Sequence, residues 1–208
     1  MQITPETVLA AVLGIALSAT CGLRIFVPFL VVNLASRLGI VSLSDGMAWM
    51  GTTTALVLFS VATVIEVVAY YFPVVDNALD VLTTPTSTIA GTLIAASFIQ
   101  MDPWMKWSLA LIAGGGMATV TQLATAKVRL ASTAATGGFG NFIIATIELL
   151  GSVIIGIISV AFPVLGLVLV FLLIVVLFCM GWTGYKFVKW MYAKMSGAPV
   201  SQPIMKAK

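Results

Sequence analysis

Long apolar runs follow one another along the chain, separated by short interruptions marked by glycine, proline or polar residues. A helix that crosses a bilayer needs about 20 predominantly apolar residues. The first run, Val8 to Ala35, is too long for one untilted span and contains Cys21, Gly22, Arg24 and Pro28. It reads as a broken helix with halves near 6–19 and 23–36. A second span is expected over 48–72, between "SLSDG" and "YYFP", and a short third over 86–100, opened by Thr86, Ser87 and Thr88, residue types that cap helices. "MDPW" turns the chain into a fourth span over 104–125. The stretch "KVRLASTAATGGFGN", 127–141, is polar and glycine-rich and reads as a loop. A fifth span covers 142–161, and Pro163 separates it from a sixth over 164–190. The pattern predicts an all-α polytopic transmembrane bundle of about six spans, with a broken first helix and a Gly-rich break before the fifth.

Composition agrees. Of the 208 residues 61% are hydrophobic and 8% charged, with a mean hydropathy of +1.15, whereas a soluble domain is about 25% charged. Such a chain cannot cover a globule with polar surface. It is expected to form a single transmembrane domain, 1–195, followed by a flexible cytoplasmic tail, 196–208. "MQITPETVLA" lacks the basic segment of a secretory signal. Lys186, Lys189, Lys194, Lys206 and Lys208 flank the last span, and Lys127 and Arg129 precede the fifth. With six spans these fall on one side, leaving Arg37 and Lys106 opposite. The positive-inside rule then puts both termini and the segment 73–85 in the cytoplasm. The expected location is the bacterial inner membrane, multi-pass. The net charge of +3 is better matched to an anionic leaflet than to nucleic acid. Two cysteines in separate runs and no histidine argue against metal centres built on those ligands.

Three ionisable residues fall inside the expected spans: Arg24, Glu66 and Glu148. Each costs about 2.5–3.5 kcal/mol at a helix centre, so such residues turn inward and find partners. Glu66 lies seven residues before Pro73 and Glu148 seven after Asn141. Both therefore sit about 10 Å inside the same boundary. They can share a proton, clamp a cation or pair with Arg24, and packing alone is the plainer alternative. "ATGGFGNF", 135–142, with Gly137, Gly138 and Asn141, opens a helix whose N-terminus attracts anions. It is similar to "ATCGLRIF", 19–26, and transporters build central sites from paired broken helices. Close packing through small residues, as in "AGGGMAT", explains the same glycines equally well. Asp76 and Asp80, four apart, can hold a divalent cation such as Mg²⁺ against a phosphorylated ligand, or simply form a solvated face. No other cofactor is expected. No nucleophile–base motif appears, so an enzyme is the less favoured reading.

The blocks "IEVVAYYFPVVDNALDVLTTPTSTIAGTLIAAS" (65–97), "RLASTAATGGFGN" (129–141) and "ATIELLGS" (145–152) resemble a family of bacterial multispanning membrane proteins, domain of unknown function 4126. The resemblance runs from about residue 10 to 165 and implies an inner-membrane protein without assigning an activity. Three functions are weighed. The first is a small channel or transporter for an ion or solute, using Arg24, Glu66, Glu148, Gly137, Gly138 and Asn141. The second is a lipid-phosphate handling protein or enzyme using Asp76 and Asp80. The third is a non-catalytic scaffold. Membrane lipids and a second copy of the chain are the expected macromolecular-scale partners.

Overall fold

Prolines and threonines set most helix starts. In the computed structural model, which describes residues 4–195 without the side chains of 73–81 and 191–195, the Thr4 side chain accepts from the Thr7 N–H and Pro5 opens α1 (Pro5–Thr20). The chain breaks and resumes as α2 (Phe26–Arg37). Thr52 caps α3 (Thr53–Ala69) by accepting from Ala55, and Pro73 opens α4 (Pro73–Ala96). Then come α5 (Pro103–Thr136), with a π-helical segment at Ala110–Gly115, α6 (Asn141–Ala161) and α7 (Pro163–Met195). The described residues are all-α, with no strand. The tail 196–208 lies outside them.

Two segments outside the expected spans are helical. Residues 73–85 form the first half of α4, with Pro85 accommodated inside the helix. Residues 127–136 continue α5, which ends only where Gly137 turns left-handed at φ 68°. Hydropathy misread this stretch because the polar face of α5 that leads into it points inward. Thr121, Gln122, Thr125 and Arg129 are all buried, one stripe at helical spacing.

The outside is apolar. α3 exposes Val57, Leu58, Val61, Val64 and Ile65, and α6 exposes Ile143, Ile147, Leu150, Ile154 and Ile157. With polar residues buried and Leu, Ile and Val outward, lipid is the matching solvent. Three helices among the described residues are long and apolar enough to cross a membrane: Pro103–Thr136, Asn141–Ala161 and Pro163–Trp190.

Helix ends define the bundle's direction. Thr4, Ile40, Phe98, Ala161 and Pro163 line one cavity, so α1 starts, α2 ends and α7 starts at the same end. The α1–α2 pair therefore enters and returns. Met195 lies at the far tip of α7, whose 33 residues span about 50 Å. The first and last described residues thus sit at opposite ends of the bundle. The same-side expectation had counted α1 and α2 as one through-going span.

Small residues permit close helix contacts. Ser18 Oγ lies 2.7 Å from the Gly91 carbonyl and 2.6 Å from that of Gly14, donating its proton toward them. A Cβ on Gly115 would fall 2.6 Å from Thr92 Oγ1. At Gly22 a Cβ would fall 2.6 Å from the Gln122 nitrogen, where the end of α1 meets α5. Gly22→Val should therefore destabilise the fold by about 1–3 kcal/mol. Gly116→Val, into open space, should be tolerated. Thermal unfolding in detergent checks this, and equal melting temperatures for the two variants would contradict the packing.

Candidate functional site

At the end of α1 the backbone closes with Arg24 N–H donating to the Thr20 carbonyl, 3.1 Å. The first N–H groups of α2 then have no helical acceptor. Glu66 of α3 supplies one: its Oε1 accepts from Ile25 N at 2.7 Å and its Oε2 from Phe26 N at 3.0 Å. A carboxylate from a neighbouring helix thus caps α2, where the helix dipole favours negative charge. The break's carbonyls are answered as well. Ser152 Oγ donates to Thr20 O and Thr125 Oγ1 lies 3.4 Å from Gly22 O.

The Arg24 side chain reaches toward α6. Its Nη2 donates to the Ala145 carbonyl at 2.6 Å and lies 3.8 Å from Glu148 Oε2. From α5, Arg129 grips the same carboxylate in a fork, Nε to Oε1 at 3.1 Å and Nη2 to Oε2. This two-pronged geometry is the strong form of the arginine–carboxylate pair. Tyr70, just past α3, receives both guanidinium groups over its ring, with Arg24 Cζ 4.0 Å and Arg129 Cζ 4.2 Å from the centroid. The ring face attracts cations. Arg24 and Arg129 are each 1% exposed and Glu148 3%. Arg24 Nε and Nη1 have no hydrogen-bond partner among the described residues.

Arg24, Glu66 and Glu148 thus meet around the α1–α2 break, with Arg24 paired to Glu148 while Glu66 holds the two residues that follow it. Asn141 lies on the same face of α6 as Ala145 and Glu148, its Nδ2 donating to Thr133 Oγ1 at 2.9 Å. Gly137 and Gly138 contribute backbone shape, at φ 68° and 96°, in the turn that ends α5 and starts α6. That turn joins two full-length helices at an end of the bundle and so differs from the break at Gly22. Asp76 and Asp80 lie in the first turns of α4, and their side chains fall outside the described residues. No group of three or more His, Cys, Asp or Glu side chains among the described residues is placed to hold a metal.

Arg129 and Tyr70 were not anticipated as site residues. Arg129 was counted as a loop charge, although its spacing from Gln122 and Thr125 is that of one helix face. Tyr70 carries no sequence signal beyond lying four residues after Glu66.

The family described as "Domain of unknown function (DUF4126)" matches residues 11–183, and the chain belongs to it. All five residues of the cluster, Arg24, Glu66, Tyr70, Arg129 and Glu148, fall inside the match. No curated protein and no solved structure matches the chain.

Removing one partner of a buried ion pair leaves the other charge uncompensated, at a cost of about 3–5 kcal/mol. Glu148→Gln leaves two guanidinium groups in that position and should lower the melting temperature most. Glu66→Gln retains one acceptor oxygen for α2 and should cost about 0.5–2 kcal/mol, the range of a lost helix cap. The reverse order, measured by thermal unfolding, would show that Glu148 is not the anchor of the cluster.

Proposed function

We propose that the chain is a small channel or transporter of a cytoplasmic membrane, passing an ion or small solute by way of a polar site at the α1–α2 break. The observation that carries this reading is Arg24: fully buried, charged, and with two side-chain nitrogens, Nε and Nη1, unpaired among the described residues. An unsatisfied buried donor costs about 1–3 kcal/mol. A solute with acceptor oxygens, or a small anion, would complete the set. Non-helical backbone at membrane depth is tolerated where it is buried in protein or lines a cavity, and broken helices form substrate sites in secondary transporters. The break between α1 and α2 has that form.

In this reading α1 and α2 are a re-entrant pair and α3 to α7 make five crossings, in place of six spans. Lys127, Lys186 and Lys189 lie toward the end of the bundle that holds the charge cluster, against Arg37 and Lys106 toward the other. The positive-inside rule puts the cluster end in the cytoplasm, with the end of α7 inside and the start of α1 outside. Both termini cytoplasmic does not fit an entering and returning pair.

Two measurements test the proposal. Single cysteines placed at Thr4 and in the tail, in a Cys21→Ala/Cys179→Ala background, should label from opposite sides of the membrane; labelling from one side would discard the re-entrant pair. In proteoliposomes offered a panel of small ions and polar solutes, the wild type should conduct at least one. Arg24→Lys keeps the charge but loses the fork, and should cut that flux about tenfold or more, as expected for one lost hydrogen bond to a charged group. No flux from the wild type, or full flux from Arg24→Lys, would refute the site.

A further inference from the structure

Along the seam between α5 and α7, toward the cluster end of the bundle, lies an open groove of about 440 Å³. That size falls within the about 300–1,000 Å³ of ligand-holding pockets. Its walls are apolar, with Leu130 and Ala131 on one side and Phe178, Trp182 and Tyr185 on the other, and it contains one charged residue, Lys127. Glycines bring the two helices together beside it: a Cβ on Gly181 would lie 3.3 Å from Lys127 Cβ, and one on Gly184 2.8 Å from Ala131 Cβ.

The lysines here have aromatic neighbours in place of carboxylates. Lys127 Nζ lies 5.3 Å from the Phe178 ring centroid and Lys186 Nζ 5.3 Å from that of Trp182. Neither takes part in an ion pair among the described residues. Lys127 is exposed on the outer face of α5, while Arg129, two residues on, is buried in the cluster. An ammonium on the lipid-facing surface requires an anion, and an apolar groove requires hydrocarbon. Trp and Tyr side chains favour the boundary where the two meet.

We infer that this groove is a binding site for an anionic glycerophospholipid, with the headgroup phosphate at Lys127 and an acyl chain along the α5–α7 seam. Charge selects the occupant: a zwitterionic lipid offers the same hydrocarbon but carries its own ammonium, which Lys127 repels. The bound lipid would brace the outer face of the helix turn that carries Arg129 on its inner face. The site goes beyond the transport reading and stands whether or not the cluster conducts.

Native mass spectrometry of the purified full chain with phosphatidylglycerol or phosphatidylcholine of matched acyl chains tests it. Phosphatidylglycerol should be retained about fivefold or more over phosphatidylcholine, the effect expected of one lysine at a membrane surface. Lys127→Gln should remove that preference, and Trp182→Ala should reduce retention of both lipids. Arg37→Gln, at the other end of the bundle, should leave the preference unchanged. Equal retention of the two lipids by the wild type would overturn the assignment, as would an undiminished preference in Lys127→Gln. So would suppression of the preference by inorganic phosphate at millimolar concentration, which would mark a free-anion site. Cysteine cross-linking at Trp182→Cys that traps a dimer in phosphatidylglycerol nanodiscs would give the groove to a second copy of the chain instead.

Discussion

A helix that starts buried inside a bundle must find acceptors for its first N–H groups within the protein, and α2 finds them in a single side chain. Glu66 gives one oxygen to Ile25 and the other to Phe26. Everything around the break follows from that placement. With α2 held at its start by α3, the backbone between Thr20 and Phe26 is fixed, and Arg24 projects from it toward α6. Ser152 and Thr125 answer the carbonyls on the other side of the same turn. Without these contacts the α1–α2 pair would leave unsatisfied backbone groups on both sides of the break, each costing several kcal/mol in lipid.

The second consequence concerns charge. Glu66 is engaged by backbone, so Arg24 pairs elsewhere, and the partner it reaches is already held in a two-pronged grip by Arg129. One carboxylate thus serves two guanidinium groups, and the Tyr70 ring lies against both. Buried ion pairs are weak contributors to stability compared with well-packed apolar side chains. A bundle that needed only to hold together could place hydrocarbon here. The cluster is asymmetric. Glu148 lies within ion-pair distance of both arginines, whereas Arg24 keeps Nε and Nη1 without partners among the described residues.

Much of this was legible in the sequence, and two of the failures share one cause. Apolar runs marked the helical class, and scarcity of charge singled out Arg24, Glu66 and Glu148. The proline at 73 and the glycines at 137 and 138 did mark helix ends. Hydropathy alone, however, treats polarity as a sign of loop. It therefore truncated α5 at the stretch where Thr125 and Arg129 turn inward, and it missed the first half of α4. In a bundle solvated by lipid, polar residues at helical spacing mark an interior face. Read that way, Gln122, Thr125 and Arg129 would have joined the site list. The return of α2 between α3 and α6 had no local signal, because a break and a reversal look alike until tertiary contacts separate them.

Direction along α5 connects the two regions of interest. Its inward face brings Arg129 to the Glu148 carboxylate, and two residues earlier its outward face presents Lys127 at the seam with α7. Neighbours two apart on a helix point about 200° from one another, so a single turn of α5 bears on both the buried cluster and the lipid boundary. The π-helical segment at Ala110–Gly115 lies upstream in the same helix, where Gly114 and Gly115 pack against Ala95 and Thr92 of α4. A helix irregular at one end and gripped by an ion pair near the other has its rotational setting fixed at two points. Lys127 at the outer groove and Arg129 in the cluster thus lie less than one helical turn apart on α5.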